Sequence, residues 1–340
     1  MTENITQLLD DASARVDSAL ETFLQKDDIA VENLHDGLLY SLGLDQEDPA
    51  IRGKRIRPAL CLVTCECLGG KGDAALPFAM AVELMHNFFL VHDDIQDGDP
   101  FRRGRPSAWK RYGIAHSINI GDFLFTKVFD AFLSGSESTP DLNLQFSLLK
   151  LLVETLEYTH IGQAQDMNAL RRRDMTLDDY LEIVTNKTGY YLAAPMLGGA
   201  QIAGASQATL DALQQLGKFV GPVFQIVDDT IDLTHGKGRD TVGSDIREGK
   251  RSYLAVYAAS KATPEEKEEL YDILDLPREE TSRAHIQRVA AIYEKYGAID
   301  AGRAYCKQLM EQAHAVMADT PAPLRDTMMA IFDHMLERKN

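Results

Sequence analysis

Apolar residues recur at intervals of three and four along almost the whole chain, as in Leu8, Leu9, Ala12 and Val16. This spacing places the apolar side chains on one face of a helix, whereas the sequence shows no sustained period-two alternation of the kind strands produce. The pattern predicts an all-α protein of about 10–13 helices. The predicted helices cover residues 4–25, 28–43, 58–69, 73–97, 108–133, 142–169, 176–203, 207–233, 250–260, 264–274, 281–296, 298–318 and 322–338.

Four segments rich in Gly, Pro and Ser interrupt this pattern and are predicted loops. They cover residues 134–143, 235–244, 261–266 and 318–323. None is long enough to separate two domains, and no repeat of fixed period is present. We therefore predict a single domain over residues 1–340.

Composition narrows the range of partners. The formal net charge is −17, so the protein repels nucleic acid and anionic membrane surfaces, and a phosphorylated substrate needs a local basic pocket or a bound metal. The four cysteines form no CxxC pair and have no histidines at zinc-ligand spacing, which indicates reduced thiols. The N-terminal segment is polar and the apolar stretch 190–205 is too short to span a bilayer. We expect a cytoplasmic protein without membrane insertion.

Two aspartate clusters of the form DDxxD each follow a strongly apolar helical segment. Positions i and i+4 share a helix face, so Asp93 points with Asp97, and Asp228 with Asp232. Carboxylates at the C-terminal end of a helix oppose the helix dipole, and a bound divalent cation offsets that repulsion. One such cluster in an acidic protein is readily explained as a solvated helix end; two clusters behind apolar helices favour a metal site. Asp94 and Asp229 complete the two clusters.

Basic groups accompany the acidic ones. The run Arg52-Gly53-Lys54-Arg55-Ile56-Arg57-Pro58 precedes a helix that Pro58 would begin, and a helix N-terminus beside cations is an anion site. Arg102, Arg103 and Arg105 lie one short loop beyond the first cluster. The alternative for either basic run alone is ordinary surface charge. Polar residues inside apolar helices, at 162–166 and 185–189, are further candidates.

These motifs, in this order, resemble the trans-isoprenyl diphosphate synthases, the polyprenyl synthetase family that includes farnesyl and geranylgeranyl diphosphate synthases. The resemblance spans most of the chain and implies an all-α bundle around a central cavity. It is carried by GKRIRP (53–58), ELMHNFFLVHDDIQD (83–97), RRGRP (102–106), GQAQD (162–166), NKT (186–188), FQIVDDTID (224–232) and DIREGK (245–250).

The resemblance implies a role for each matching residue. The first cluster would bind two Mg²⁺ ions on the allylic diphosphate and the second cluster a third. Asp93, Asp97, Asp228 and Lys187 would be the catalytic residues. Isopentenyl diphosphate would bind at Lys54, Arg57, His86 and Arg103, and the allylic diphosphate at Arg102, Lys187 and Lys250, with Gln163, Asp166, Thr188 and Gln225 lining its site.

One position departs from the family pattern. Many members have a lysine two or three residues before the glycine that matches Gly243. Here the nearest lysine is Lys237, and Arg239 lies closer in sequence. Either side chain is a candidate for the missing contact.

The resemblance implies head-to-tail condensation of an allylic diphosphate with isopentenyl diphosphate by a Mg²⁺-dependent homodimer. Phe89 lies one helical turn before Asp93, and Phe88 lies beside it. Aromatics at these two positions accompany short products in the family, so farnesyl diphosphate is the expected product and geranylgeranyl diphosphate the alternative. The rival functions are a terpene cyclase, which needs no second diphosphate pocket, and a non-catalytic synthase subunit, which commonly lacks one cluster.

Overall fold

A computed structural model describes residues 2–25, 31–136, 141–234 and 242–336. The all-α prediction is confirmed, since the only sheet in these ranges is one two-stranded hairpin. The helices are α1 Thr2–Leu24, α2 His35–Leu42, α3 Pro49–Arg52, α4 Ile56–Cys67, α5 Gly72–Gln96, α6 Ala108–Tyr112, α7 Ile114–Leu133, α8 Leu142–Ala169, α9 Leu177–Val184, α10 Tyr190–Ile202, α11 Gln207–Thr234, α12 Ser244–Arg247, α13 Tyr253–Lys261, α14 Pro264–Leu274, α15 Arg283–Lys295, α16 Ala298–Met317 and α17 Ala322–Leu336. The strands are β1 Phe101–Arg102 and β2 Arg105–Pro106, and a π-turn, Thr185–Gly189, separates α9 from α10.

Helix starts follow local capping chemistry. Thr263 caps α14 by accepting the Glu266 N–H, and Pro264 occupies the first turn, as the sequence predicts. Thr176 and Asp179 form a reciprocal capping box at the start of α9. These caps satisfy N–H groups that have no partner within the helix.

The 17 α-helices of the described ranges exceed the predicted 10–13 for local reasons. The helix predicted over 108–133 breaks at Gly113, whose φ of 80° and ψ of 159° lie outside helical geometry. The helix predicted over 176–203 is interrupted by the π-turn. The helix predicted over 28–43 begins at His35, after a turn that includes Asn33 at φ 64°. Two short helices, α3 and α12, lie in segments where no helix was predicted.

The chain divides into two compact units, each assembled from separate segments. The first contains Met1–Val153, Ala194–Asp211 and Thr320–Ala330. The second contains Glu154–Ala193, Ala212–Asp319 and Ile331–Asn340. The single domain over 1–340 and its central cavity stay predictions.

Helix α5 forms the core of the first unit, packed against α4 and α7. By length and composition it is the one described helix able to cross a membrane, although 72% of its most apolar window is buried within the protein. A core helix that is surrounded by other helices is apolar on all of its faces, so it has the same composition as a membrane-spanning helix. The burial of α5 places the aspartate cluster at its end on a rigid support.

Helix α13 has the corresponding position in the second unit. It contacts α9, α14, α15 and α16, and six of its nine residues are buried. Ser252 caps its first turn by accepting the Ala255 N–H. The segment that precedes α13 contains Lys250, so this core element supports a predicted site residue.

Candidate active site

The first aspartate cluster is divided between partly exposed and buried carboxylates. Asp93 and Asp97 are partly exposed, whereas Asp94 is 3% exposed. The Arg102 guanidinium donates from Nε to Asp94 Oδ1 at 3.0 Å and makes a second, shorter contact from Nη2. These charge-assisted hydrogen bonds, both to Asp94 Oδ1, fix Arg102 at the end of α5. Asp93 and Asp97 are therefore the carboxylates of this cluster that face solvent.

Arg102 and Arg103 lie in the β1–β2 hairpin, whose turn residues have positive φ. Arg103 (φ 52°) and Gly104 (φ 76°) form the two-residue turn, a conformation that matches the twist of the strands. Arg103 Nη1 donates to the Arg52 carbonyl at 2.9 Å and the Ile51 carbonyl at 3.2 Å. Burial lowers the pKa of Arg103 to about 10, so the guanidinium stays charged at neutral pH.

Arg55, within the GKRIRP segment, anchors that segment to the protein interior. Its guanidinium donates to Glu83 at 2.6 Å, to Asp17 at 2.7 Å and to the Leu42 carbonyl at 2.6 Å. The side chains of Arg55 and Glu83 are 1% and 2% exposed, and Arg55 adopts φ 44°. This buried cation therefore fixes the backbone between Lys54, which is exposed, and Arg57.

Arg57 and His86 meet in the first unit, with Arg57 Nη1 lying 3.5 Å from His86 Nε2. Burial lowers the pKa of His86 well below its ordinary value, and the guanidiniums of Arg57 and Arg103 lower it further. His86 is therefore neutral at physiological pH and can accept a hydrogen bond at Nε2. The structure brings these residues together as the sequence predicts.

The second aspartate cluster, at the end of α11, is also divided. Asp229 is 4% exposed and accepts from Gln225 at 3.0 Å and from Tyr180 at 3.3 Å. Burial and the negative charge of Asp229 raise the pKa of Tyr180 well above its ordinary value, so its hydroxyl remains a donor. Asp229 thus ties α11 to α9.

Asp232 is fully buried and does not share the partial exposure of Asp228. Its carboxylate accepts from Ser244 Oγ and from the Asp245 N–H at 3.1 Å, at the N-terminus of α12. Asp232 therefore stabilises the segment after α11, and Asp228 is the partly exposed carboxylate of the second cluster. The metal-ligand role predicted for Asp232 stays a prediction. The buried carboxylate already accepts two hydrogen bonds, which disfavours that role.

Lys187 lies in the π-turn and reaches α8. Its Nζ donates to Asp166 Oδ2 at 2.7 Å, which joins two residues predicted for the allylic site. Gln163 and Thr188 are buried beside them, at 9% and 6% exposure. Lys250 contacts Glu248 at 2.5 Å and Asp245 at 3.6 Å. Lys237 and Arg239 lie outside the described residues, so their roles stay predictions.

A concave pocket in the second unit brings several of these groups together. Another pocket, in the first unit, is lined by Asp94, Arg102 and Arg103 together with Tyr40 and Ser107. Acidic and basic side chains thus line the same concave surfaces, as binding of a metal–diphosphate group requires. The pocket of the second unit is lined by Asp166, Tyr180, Ile183, Val184, Lys187, Gln225, Asp229, Lys250, Arg251 and Ser252.

The donor set suits a hard divalent cation. Mg²⁺ prefers carboxylate, phosphate and water oxygens and usually takes only one or two protein carboxylates. Among the described residues no group of three or more His, Cys, Asp and Glu side chains could hold a metal alone. Asp93, Asp97 and Asp228 offer partly exposed oxygens of the kind a metal shared with a substrate phosphate would use.

Phe88 and Phe89 lie on the buried side of α5, at 5% and 8% exposure. Their ring centroids are 4.8 Å apart, and Phe88 is 5.2 Å from Phe125 of α7. The two rings belong to an aromatic cluster one turn below Asp93, where a channel floor is predicted.

Sequence reasoning missed the residues that hold the predicted ones in place. The sequence places Arg55 only in a basic run for anion binding, predicts no role for Glu83, and puts Tyr180 outside every motif. A charged residue between two predicted ligands, and a buried-face glutamate on an apolar helix, were the available signals. Nothing local in the sequence pairs Tyr180 with Asp229, since 49 positions separate them.

The chain is all-α and carries acidic clusters at helix ends with basic groups beside them. This combination is suited to binding a metal–diphosphate group. The polyprenyl synthetase family model matches residues 47–293, and the chain belongs to that family. It is a prenyltransferase of the trans type.

Known proteins extend the likeness over nearly the whole chain. A short chain isoprenyl diphosphate synthase of Methanothermobacter thermautotrophicus is 34% identical over 293 residues, covering 85% of this chain and 87% of the relative. A geranylgeranyl diphosphate synthase of Saccharolobus solfataricus is 32% identical over 78% of this chain and 80% of its own length. A polyprenyl synthase of Caulobacter crescentus, solved with calcium and isoprenyl diphosphate, aligns with TM-score 0.86 at 27% identity, covering 100% and 98% of the two chains.

Proposed function

We propose that this prenyltransferase is Mg²⁺-dependent, condenses allylic diphosphates with isopentenyl diphosphate, and releases geranylgeranyl diphosphate as its main product. The product assignment is supported by the relatives, which include short chain and geranylgeranyl diphosphate synthases. The observation that carries the reaction is the pocket of the second unit, where Lys187 and Lys250 lie with Asp166 and Asp229. Two cations beside carboxylates serve a diphosphate that also ligates metal ions.

The side chains of the protein bind, orient and neutralise charge. Lys187 and Lys250 of the second unit hold the allylic diphosphate and stabilise the negative charge that grows as it leaves. Lys54, Arg57 and neutral His86 of the first unit bind and orient isopentenyl diphosphate. Mg²⁺, when bound at Asp93, Asp97 and Asp228, supplies Lewis-acid stabilisation of the leaving diphosphate. The reaction uses no protein nucleophile.

The direct test is incubation of the purified protein with dimethylallyl and isopentenyl diphosphates, with and without Mg²⁺. We expect elongated diphosphates, mainly of geranylgeranyl length, only when Mg²⁺ is present. Cyclised hydrocarbon would indicate a terpene cyclase, and absence of turnover would indicate a non-catalytic subunit. Either result would overturn the proposal.

Farnesyl diphosphate is the second candidate product, favoured by the aromatic cluster of Phe88, Phe89 and Phe125. Two adjacent rings occupy volume that a longer prenyl chain needs, and close-packed side chains do not yield it. The same assay separates the candidates, since the farnesyl product would accumulate when isopentenyl diphosphate is in excess.

The double variant Phe88→Ala with Phe89→Ala should lengthen the main product by at least one isoprene unit, because removing both rings opens the channel. Chromatography of the products measures the shift. Phe78→Ala is the matched control, since it removes a buried ring from the same helix three turns earlier and should leave the product length unchanged. An active double variant with the original product would show that other residues limit chain length.

We also propose a homodimer, formed through an apolar surface of the first unit. Leu142, Phe146 and Val153 of α8 are 75%, 72% and 48% exposed and follow one helix face. Exposed apolar side chains in a continuous stripe mark association surfaces.

Light scattering after size-exclusion chromatography tests this surface. Phe146→Glu with Val153→Glu should convert the dimer to a monomer, because association would bury two unpaired charges. Val31→Glu changes a valine that is 59% exposed and does not belong to α8; it is the control and should leave the mass unchanged. A dimer that survives the double substitution would place the interface elsewhere.

A further inference from the structure

The π-turn Thr185–Gly189 fits between glycines of two neighbouring helices. A Cβ added to Gly162 of α8 would lie 2.3 Å from the Lys187 backbone nitrogen. A Cβ added to Gly221 of α11 would lie 2.5 Å from Gly189 Cα. Both neighbours are backbone atoms, which cannot yield as the tip of a flexible side chain can. The wide turn therefore needs glycine on both sides.

Two adjacent residues of α8 bind two adjacent residues of the turn. Asn186 Nδ2 donates to Gln165 Oε1 at 2.9 Å, and Lys187 Nζ donates to Asp166 at 2.7 Å. Gln165 Nε2 also donates to Glu182 at 2.8 Å, so its amide joins α8 to residues before and within the turn. These bonds fix the rotation of the turn about its axis.

We propose that Gly162, Gln165 and Asn186 are positioning residues that hold the Lys187 ammonium in the pocket of the second unit for the allylic diphosphate. A π-turn adds one residue to a helical turn and is frequent at functional sites. A return to α-helical geometry would rotate the side chains on one side of the turn by about 100° relative to the other. The glycine gap admits the turn and the Gln165–Asn186 bond holds it. This inference rests on the proposed function of Lys187.

Gln165→Met keeps the length of the side chain and removes its hydrogen bonds. We expect the KM for the allylic diphosphate to rise about three- to tenfold, the effect of losing the hydrogen bond from Asn186 within the turn, while the KM for isopentenyl diphosphate changes less than about twofold. Gln207→Met is the matched control: Gln207 is an exposed helix glutamine bonded to Asp211, and its loss should change neither constant.

Exchanging the side-chain lengths of Gln165 and Asn186 should restore the hydrogen bond between the two positions. Gln165→Asn alone shortens the contact and should raise the allylic KM, whereas Gln165→Asn combined with Asn186→Gln restores the summed length and should return it to within about twofold of the unaltered protein. Gly162→Ala should raise the allylic KM at least tenfold, with Gly302→Ala as a helical-glycine control whose Cβ would meet only side chains, at 3.1 Å or more. If Gly162→Ala does not fold, Gln165→Met decides the matter.

Calorimetric titration with inorganic diphosphate and Mg²⁺ provides a readout without turnover. The affinity should fall about three- to tenfold in Gln165→Met and recover in the exchanged pair. Unchanged affinity and allylic KM in Gln165→Met, or an equal rise for both substrates, would overturn the positioning role. If the unaltered protein binds diphosphate but makes no elongated product, the proposed function falls while the titration still decides the role of Gln165.

Discussion

Asp93→Asn and Asp228→Asn are each expected to lower kcat by about 10²–10³-fold or more while the fold stays intact. Each change keeps the volume of the side chain and removes one partly exposed carboxylate, so it removes charge stabilisation of the departing diphosphate and leaves the packing unchanged. Steady-state kinetics with saturating Mg²⁺ and both substrates measures the loss, and circular dichroism checks the fold.

Asp232→Asn provides the contrast within the second cluster. Its buried carboxylate accepts from Ser244 and the Asp245 N–H, so its loss should lower the free energy of unfolding by about 1–3 kcal/mol. We expect a smaller fall in kcat than for Asp228→Asn. If Asp232→Asn instead lost activity as fully as Asp228→Asn with unchanged stability, the assignment of Asp232 as a structural carboxylate would be wrong.

Arg55→Met should destabilise the protein by about 3–5 kcal/mol, the cost of leaving a buried carboxylate without its ion-pair partner. Glu83 is 2% exposed and lies 2.6 Å from the Arg55 guanidinium, so solvent cannot replace the lost charge. Urea denaturation followed by circular dichroism measures the change.

A double variant supplies the control for this prediction. Arg55→Met with Glu83→Leu removes both buried charges and should recover most of the lost stability, because Glu83 no longer stays buried without a partner and Asp17 keeps Arg52 at 3.6 Å. Any surviving protein should also show a raised KM for isopentenyl diphosphate, since Arg55 fixes the backbone between Lys54 and Arg57. A loss below about 1 kcal/mol for the single variant would show that water reaches Glu83.

The helices could be predicted from the sequence because helix formation depends largely on local properties of the chain. Three- and four-residue spacing, a threonine cap before Pro264 and glycines at breaks act within one or two turns. The prediction of one continuous helix over residues 176–203 failed because the contacts that decide its shape come from residues distant in the sequence. Nothing near residue 185 requires a π-turn; the room for it comes from Gly162 and Gly221, which belong to other helices.

The site shows the same division. The residue types of both clusters and both basic runs are legible in the chain, and so is the chemistry of carboxylates and cations beside a diphosphate. The role of each residue cannot be predicted from the motif, because Asp228 and Asp232 are equivalent positions in the DDxxD pattern. Tertiary contacts separate them: Asp232 is buried under the start of α12, 12 positions away from it in sequence, while Asp228 keeps access to solvent.

The sequence by itself determined that the protein is helical, which residues could bind metal and phosphate, and to which family it is similar. These follow from periodicity and residue chemistry, which act over a few positions. Only the tertiary structure decided which carboxylates are anchors and which face solvent, that Arg55 holds the basic loop, and that the helix around Lys187 opens into a π-turn. Burial and hydrogen bonding depend on the neighbours that folding brings from distant segments, and those neighbours set what each side chain can do.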